Sequence, residues 1–452
     1  MIERLDLPEG HYAPWEKTFG RILTPFEEFI HQETAGGIVL IVCTTIALIL
    51  ANSPLAESYG NLLHTQITLS VGNWTLDQTL HHWINDGLMA LFFFVIGLEI
   101  KREVLVGDLS DVQAATLPIL AAIGGMAVPA IFYAAINLGG PTAQGWGIPM
   151  ATDIAFAVGV LVLLGSRVPK SLLTFLVALA IVDDLGAVAV IALFYTERIF
   201  VDALALAGLL LVVLAVFNRA GIRSPLPYFV VAALLWLAML KSGVHATIAG
   251  ILVAWTIPSR PKLEPQVFRE KIRVLTKRFD ALDDGRRSLI HDQNRRAIVQ
   301  ALESGIHKVE SPLQRLEHSM HPMVAFFIVP LFALANAGVP IELASLGSTF
   351  AQPVTLGIVF GLVAGKLVGI AGVSSVAAKM GFGQLPAGCR SVHMVGVALL
   401  AGIGFTMSIF IAELAFRGQA DQLVSAKTGI LFASLLAGAA GYLWLRKFGE
   451  TP

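Results

Sequence analysis

Two adjacent acidic residues, Asp183 and Asp184, are the side chains of this chain best suited to chemistry. They lie near the middle of a long apolar segment, ALAIVDDLGAVAVIALFYT. Neighbouring side chains on a helix point about 100° apart, so one carboxylate can face a cavity while the other faces a neighbouring helix. Hard cations prefer oxygen ligands, and like charges held close together favour proton binding. The pair is therefore predicted to hold either a metal cation or protons; a buried, hydrogen-bonded pair with no transport role is the alternative.

A second polar site, Thr152 and Asp153, stands early in the apolar segment IPMATDIAFAVGVL. Pro149, just before it, lacks a backbone N–H and weakens a helix, and the Thr152 hydroxyl can bond the backbone groups that are freed. The Asp153 carboxylate would compensate the positive end of a half-helix. The pattern favours a broken helix here, although a capping aspartate at the membrane edge would also explain Asp153.

A lysine, Lys366, lies within the apolar segment VTLGIVFGLVAGKLVGIAG. Glycines recur at every fourth position and would form a smooth ridge for close helix packing: Gly357, Gly361, Gly365 and Gly369. An unpaired ammonium is costly in hydrocarbon, so Lys366 is predicted to pair with Asp183 or Asp184. The alternative is that its side chain extends to the membrane surface, which is a long reach from the middle of the segment.

A fourth segment, VALLAGIGFTMSIFIAEL, is interrupted by Gly402, Gly404 and Thr406. Glycine-interrupted segments in the two halves of a transporter indicate discontinuous helices at a site near the membrane midplane. The predicted pair of such helices is 148–165 and 391–415.

These polar groups stand in a chain of 452 residues, of which 56% are hydrophobic and 14% are charged. Soluble domains contain about 25% charged residues. The composition excludes a soluble enzyme, a disordered chain and a disulfide-stapled secreted domain. It also excludes an outer-membrane barrel, whose strands alternate apolar and polar residues. The net charge of −1 gives no general attraction to nucleic acid.

The apolar segments predict an all-α membrane protein, because a span needs about 20 mostly apolar residues. The twelve candidate spans are 36–52, 87–100, 115–138, 148–165, 171–195, 201–217, 227–241, 243–257, 322–337, 353–376, 391–415 and 423–445. They divide the chain into an N-terminal segment (1–35), spans 1–8 (36–258), a loop (259–321), spans 9–12 (322–446) and a tail (447–452).

Lysine and arginine are concentrated in alternate loops, as in loops that face the cytoplasm. The loops 53–83, 139–147 and 341–352 contain neither residue. The alternate loops carry Lys101 and Arg102, Arg167 and Lys170, Arg219 and Arg223, and Lys379 and Arg390, and 259–321 is rich in both. The exceptions are Arg198, Lys241, Arg417 and Lys427. Both termini and the loop 259–321 are therefore predicted to be cytoplasmic, in agreement with an even number of spans.

Two segments outside the spans have patterns of their own. Alternating apolar residues flank Gly72-Asn73 within 65–77, which favours a short extracytoplasmic β-hairpin over a plain loop. In the loop 259–321, residues 297–309 (AIVQALESGIHKV) have helical spacing, and a solvated helix is expected there.

The motifs taken together resemble those of NhaA-type sodium/proton antiporters over nearly the whole membrane region. The matching segments are FFFVIGLEIKREV (92–104), MATDIAFAVGVL (150–161), LLGSRVPKS (163–171), ALAIVDDLGA (178–187), KSGVHATIAG (241–250), LEHSMHP (316–322), PLFALANAGV (330–339), GKLVGI (365–370) and GIGFTMSIFIAEL (402–414). The resemblance implies twelve helices in inverted-topology repeats. Two discontinuous helices, those of Asp153 and Gly404, would cross near the midplane.

The resemblance also implies roles for the polar sites. Asp183 and Asp184 would carry Na⁺ or Li⁺ and protons in turn, with Thr152 beside them at the cation site. Lys366 would pair with Asp183. Asp153, together with Thr152, would compensate the facing helix ends.

A charged cluster on the cytoplasmic side is linked to pH response by the resemblance. Its members are Glu99, Arg102, Glu103, Glu317, His318 and His321. Histidine titrates near neutral pH, so a sensing role is reasonable, but a solvated rim that anchors a helix end would explain the same residues. The resemblance further implies a bacterial inner-membrane protein that dimerises through the hairpin.

The sequence therefore predicts a secondary transporter, not an enzyme, that needs no cofactor and exchanges internal Na⁺ or Li⁺ for external protons. Binding of more protons than cations per cycle would make the exchange electrogenic. One alternative is a sodium-coupled symporter of similar architecture. A remote alternative is an intramembrane aspartyl protease, which would need Asp153 and Asp183 to share a proton.

Overall fold

The computed structural model describes residues 35–72, 74–196, 199–282, 293–341, 344 and 346–449. The predicted N-terminal segment 1–35 lies outside these residues except for Ala35, and so do Asn73, Arg198 and the last three residues of the tail. The described chain is mostly helical, as predicted, with one two-stranded sheet.

The helices follow the apolar pattern of the sequence. In chain order the α-helices are α1 (Ala35–Ala51), α2 (Ala56–Leu63), α3 (Met89–Val106), α4 (Val112–Asn137), α5 (Ile154–Val162), α6 (Lys170–Phe194), α7 (Val201–Arg219), α8 (Pro225–Ser242), α9 (Ile248–Thr256), α10 (Pro265–Ala281), α11 (Gln293–Val309), α12 (Pro312–Met323), α13 (Val329–Asn336), α14 (Leu346–Ala351), α15 (Pro353–Phe360), α16 (Val373–Lys379), α17 (Ser391–Leu400), α18 (Phe405–Ala415) and α19 (Ala420–Phe448). A short α-helical turn (Leu80–His82) precedes α3, and 3₁₀ turns lie at Asp108–Ser110, Ala143–Met150 and Gly165–Arg167. Four π-helical segments complete the helical structure: Trp83–Leu88, Val324–Ile328, Gly361–Gly365 and Leu367–Gly372.

Eight helical stretches among the described residues are long and apolar enough to cross a membrane. The number rises to ten if each of two bent helix pairs forms one span. The pairs are α1 with α2, bent by 114°, and α17 with α18, bent by 49°. The protein is therefore a helical membrane protein.

The end of one helix differs from the prediction. The sequence places Lys101 and Arg102 in a loop after residue 100, but α3 continues to Val106 and includes both. The Lys101 ammonium is buried and donates hydrogen bonds to the backbone carbonyls of Trp255, at 2.6 Å, and Ile257, at 2.5 Å. Because the last carbonyls of a helix lack partners, this lysine caps the end of α9 and is not a loop cation.

The segment 259–321 also contains more regular structure than one helix. The helix expected at 297–309 is confirmed as part of α11, and α10 packs against it. The helix α12 begins at Pro312 and brings Glu317, His318 and His321 into a helix that continues toward α13.

The predicted β-hairpin is confirmed. Strands β1 (Gln66–Val71) and β2 (Trp74–Thr79) pair in antiparallel register, with Leu69 opposite Leu76. Gly72 has φ of 60°, a left-handed conformation that glycine adopts without a Cβ penalty.

The glycine ridge is also confirmed and packs against α4. A methyl group added to Gly365 would lie 2.8 Å from the Cα atom of Pro129, and one added to Gly369 would overlap the Gly124 carbonyl oxygen. Such close backbone contact leaves no room for side chains. The ridge therefore fixes the position of the following residue, Lys366, relative to α4.

Both predicted helix interruptions are present. Residues 151–153 separate the 3₁₀ turn Ala143–Met150 from α5, and residues 401–404 separate α17 from α18. The two interruptions contact each other, because the Asp153 backbone N–H donates to the Ile403 carbonyl at 2.7 Å. The polar side chains of the site surround this contact.

Candidate functional site

The central interaction of the site is an ion pair between Lys366 and Asp183. The Lys366 Nζ lies 2.6 Å from Asp183 Oδ2, and both side chains are completely buried. The residue pattern left Asp183 and Asp184 as alternative partners, and the resemblance implied Asp183; the structure pairs Lys366 with Asp183. Because separating two buried charges leaves each without compensation, this contact ties α6 to the ridge helix.

Thr152 joins the ion pair to the interruption between α17 and α18. Its Oγ1 accepts a hydrogen bond from Lys366 Nζ at 2.9 Å. The same Oγ1 lies 2.8 Å from Asp183 Oδ2 and 2.9 Å from the Ala401 carbonyl oxygen. One hydroxyl proton serves only one of these two acceptors at a time. Thr152 can therefore donate either to the ion pair or to a carbonyl at the end of α17.

Asp184 lies beside the ion pair without sharing its partner. The side chain is 1% exposed, and its Oδ1 has no hydrogen-bond partner among the described residues. Asp183 Oδ1 is likewise buried and unpartnered there. Buried polar atoms are rarely left without partners, and unpaired carboxylate oxygens are suitable ligands for a hard cation. These two oxygens and the Thr152 hydroxyl are the atoms that could hold Na⁺.

The charges of this group do not balance. The cluster of Asp183, Asp184 and Lys366 contains two carboxylates and one ammonium, so its net formal charge is −1 when all three are ionised. A buried charge is costly unless it is paired or neutralised. A small cation and a proton can each supply the missing positive charge.

Asp153 caps two helices at once. Its Oδ1 accepts a hydrogen bond from the Phe156 N–H at the start of α5, at 3.1 Å. Its Oδ2 accepts from the N–H of Thr406 at 3.1 Å and from the Thr406 hydroxyl at 2.5 Å, at the start of α18. Helix N-termini carry free N–H groups and partial positive charge. The Asp153 carboxylate therefore lies at the N-terminal ends of both interrupted helices, α5 and α18.

The helix around Lys366 is irregular in a way that the sequence did not predict. Lys366 lies between the π-helical segments Gly361–Gly365 and Leu367–Gly372. Such segments in place of regular α-helix are frequent at functional sites. The two segments contain Gly361, Gly365 and Gly369 of the ridge that packs against α4, where bulky residues would not fit.

The predicted cytoplasmic cluster is only partly assembled. Arg102 Nε lies 2.8 Å from Glu317 Oε1, and Arg102 Nη1 lies 2.7 Å from Glu103 Oε1. This arginine therefore links α3 to α12. Glu99 is half-buried one turn before Glu103.

The two histidines of that cluster are exposed. His318 and His321 lie on α12, the helix that also carries Glu317. The structure thus brings Arg102, Glu103 and Glu317 together and leaves both imidazoles facing outward.

Thr406 and Lys427 are polar residues whose interactions the sequence did not predict. The sequence indicates Thr406 as an interruption of an apolar run but not as the partner of Asp153. Lys427 is one of the exceptions to the concentration of lysine and arginine in alternate loops. It pairs with Glu413, at 2.6 Å between Nζ and Oε1.

Comparison with known proteins gives a consistent result. Residues 27–445 match the family described as Na⁺/H⁺ antiporter 1. The chain is 54% identical to Na⁺/H⁺ antiporter NhaA 1 of Saccharophagus degradans, over 96% of this chain and 94% of that protein. It is 55% identical to Na⁺/H⁺ antiporter NhaA of Sulfurimonas denitrificans, over 96% and 98%. The NhaA protein of Dichelobacter nodosus is 48% identical, over 96% and 94%.

The alternative functions gain no support. The relatives are named as antiporters and not as symporters or proteases. An aspartyl protease needs two carboxylates that share a proton. Here Asp183 is paired with Lys366, while Asp153 accepts hydrogen bonds from two helix ends.

Proposed function

The chain belongs to the Na⁺/H⁺ antiporter 1 family, and we propose that it exchanges internal Na⁺ or Li⁺ for external protons across a bacterial inner membrane. It acts as a secondary transporter without a cofactor. The cation and the protons compete for Asp183 and Asp184, so that protonation releases the cation and deprotonation admits it.

The observation that carries this proposal is the surplus negative charge of the buried cluster. Lys366 pairs with Asp183 and not with Asp184, and each aspartate has an Oδ1 without a hydrogen-bond partner among the described residues. When Na⁺ occupies these oxygens, it neutralises the surplus; when it leaves, protons do so. Binding of more protons than cations in each cycle would make the exchange electrogenic and draw on the membrane potential.

The interrupted helices would let this site face each side of the membrane in turn. We propose twelve membrane helices in inverted-topology repeats, with one bundle rocking against the other around the site. Asp153 and Thr152 would hold the two interruptions together during this motion, because they bond to groups on both sides of the crossing.

The arrangement in the membrane follows from the loop charges. Both termini and the segment 259–321 would be cytoplasmic, with spans in 36–258 and 322–446 and a tail at 447–452. The hairpin β1–β2 would then be periplasmic and would join two copies in a homodimer. Its exposed residues include Ile67 and Leu69, at 38% and 49% exposure, which could be covered in such a dimer.

The cytoplasmic cluster would adjust activity to internal pH. Glu99, Arg102, Glu103 and Glu317 would form its buried part, and His318 and His321 its exposed part. His318 and His321 lie on the helix that also carries Glu317, the partner of Arg102. Activity should rise with internal pH, because the transport carboxylates lose protons.

The proposal is tested in everted membrane vesicles that carry the protein. Addition of Na⁺ or Li⁺ should release protons from wild-type vesicles, whereas K⁺ serves as the comparison cation. Asp184→Asn should abolish the response, because the cluster then has no surplus charge. Asp202→Asn is the matched control, since Asp202 is exposed in the first turn of α7. Wild-type exchange in Asp184→Asn would refute the proposal.

A further inference from the structure

A charged network lies at the C-terminal end of α18, the end opposite Asp153. Glu413, in the last turn of α18, is 14% exposed, and Lys427 of α19 is 11% exposed. The Lys427 Nζ lies 2.6 Å from Glu413 Oε1. His81, in the turn before α3, places its Nε2 3.8 Å from the same oxygen. The Glu413 carboxylate therefore stands between two other helical elements.

The network continues to α13 through two buried amides. His81 Nε2 lies 3.0 Å from Asn336 Oδ1. Asn336 Nδ2 donates to Asn85 Oδ1 at 2.7 Å, and Asn85 Nδ2 donates back to Asn336 Oδ1 at 3.3 Å. Buried polar networks with their groups satisfied make a packing arrangement more rigid. The groups around His81 and Glu413 are thus a fixed frame and not mobile surface residues.

The spacing along α18 relates this frame to the transport site. Thr406 and Glu413 are seven residues apart, which is about two helical turns and ~10 Å along the axis. They therefore lie on nearly the same side of α18. Asp153 holds this side at the N-terminal end, through the N–H and hydroxyl of Thr406. Lys427 holds it at the C-terminal end.

We propose that Glu413 is a positioning residue that fixes α18 against α19 and so holds the Thr406 N–H in place on Asp153. The inference rests on the exchange function proposed above, and it assigns Glu413 no contact with the transported ion. Loss of the Glu413–Lys427 pair lets α18 shift along or about its axis. The Thr406 hydrogen bonds then open more often, and the movement of the interrupted helices is slowed or misaligned.

A cavity beside the network makes the pair open to experiment. The cavity has a volume of about 380 Å³ and is lined by Glu413, His81, Asp86 and Arg417, among others. Glu413→Gln places a neutral side chain of the same size at the edge of this cavity. The variant should fold, because glutamine fills the space of glutamate and leaves no void.

The first experiment measures how often the hydrogen bonds at the start of α18 open, and it does not depend on transport. Hydrogen exchange of the backbone amides over residues 405–408 is followed by mass spectrometry in the purified full-length protein. In Glu413→Gln these amides should exchange at least threefold faster than in wild type. Glu57→Gln is the matched control, because Glu57 is an exposed carboxylate on α2. Equal exchange in wild type and Glu413→Gln would overturn the inference.

The second experiment separates turnover from ion binding in vesicles. Glu413→Gln should lower the maximal rate of exchange at least fivefold and change the apparent KM for Na⁺ less than twofold, because the ligands Asp183 and Asp184 remain in place. Lys427→Gln should have the same effect, and the double variant should add nothing further, since both substitutions remove one interaction. Additive losses, or a change confined to KM, would contradict a positioning role.

The two experiments also separate this inference from the proposed function. Absence of exchange in wild-type vesicles would refute the proposed function, while the amide exchange rates would still test the position of α18. Normal wild-type exchange with unchanged Glu413→Gln kinetics would refute the positioning role alone.

Discussion

Removal of the Lys366 side chain tests whether the buried ion pair holds the site together. In Lys366→Ala, Asp183 loses its charged partner while it remains completely buried. Removing one member of a buried pair costs about 3–5 kcal/mol. The loss of the lysine methylenes adds about 2 kcal/mol, at ~0.8 kcal/mol for each buried CH₂. The free energy of unfolding should therefore fall by about 5–7 kcal/mol, and transport should be lost.

Two further variants divide this loss into its parts. Lys366→Met keeps most of the apolar stem, so only the charge contribution of about 3–5 kcal/mol should be lost. Lys366→Met combined with Asp183→Asn should recover most of that loss, because no unpaired charge stays buried. Acidification should reduce the defect of the single variants, since the lone Asp183 carboxylate can then bind a proton.

The assay is thermal unfolding of the purified protein in detergent, followed by intrinsic tryptophan fluorescence. Lys379→Ala is the matched control, because Lys379 ends α16, which follows the same ridge, with its side chain exposed. The control should unfold at the wild-type temperature. If Lys366→Ala and Lys379→Ala unfold together, the ion pair does not stabilise the structure and the reasoning is refuted.

Three other predictions test separate parts of the structure. Asp153→Ala should lower the free energy of unfolding, measured by chemical denaturation, by about 1–4 kcal/mol, at about 0.5–2 kcal/mol for each of two lost helix caps. Asp153→Asn should lower it less, and equal losses in the two variants would count against the double cap. Gly369→Ala should lower the free energy of unfolding by about 1–3 kcal/mol, because the added methyl group overlaps the Gly124 carbonyl oxygen. Gly372→Ala should leave it unchanged in the same assay, because the space around Gly372 is open; similar losses for both variants would exclude the close contact. Arg102→Gln should shift the pH dependence of exchange in vesicles with little change in its maximum, because it breaks the contact to Glu317; an unshifted profile would leave this contact with a structural role only.

Candidate polar residues could be selected from the sequence, because ionisable side chains are rare and costly in membrane spans. Asp183, Lys366 and Asp153 lie in otherwise apolar segments, where a charged side chain must have a partner or face a cavity. The glycines at every fourth position indicated the ridge, and Pro149 indicated one of the two helix interruptions. These features depend on local composition, which a sequence displays directly.

Features that depend on three-dimensional neighbours could not be predicted in the same way. The choice of Asp183 over Asp184 as the partner of Lys366 depends on how α6 is rotated, and adjacent residues differ only by that rotation. The burial of Lys101 depends on α9 ending beside α3, about 150 residues later in the chain. The π-helical segments around Lys366 depend on the packing of glycines against α4, and no residue pattern specifies them.

The pairing of Lys427 shows a limit of charge counting along a membrane protein. Lys427 lies on the side of the membrane whose loops are predicted to contain few lysine and arginine residues, so it is an exception to the expected distribution of positive charge. A carboxylate in the preceding helix, Glu413, compensates it at 2.6 Å. A lysine near a membrane boundary is thus compatible with either side when a partner from another helix is available.

The central claim is that Asp183 and Asp184 bind a cation and protons in turn, and proton release on cation binding tests it most directly. Purified wild-type protein in weakly buffered detergent solution should acidify the solution when NaCl is added, and an equal addition of choline chloride should not. Asp184→Asn should release no protons. Sodium binding without proton release in wild type, or unchanged release in Asp184→Asn, would contradict the claim.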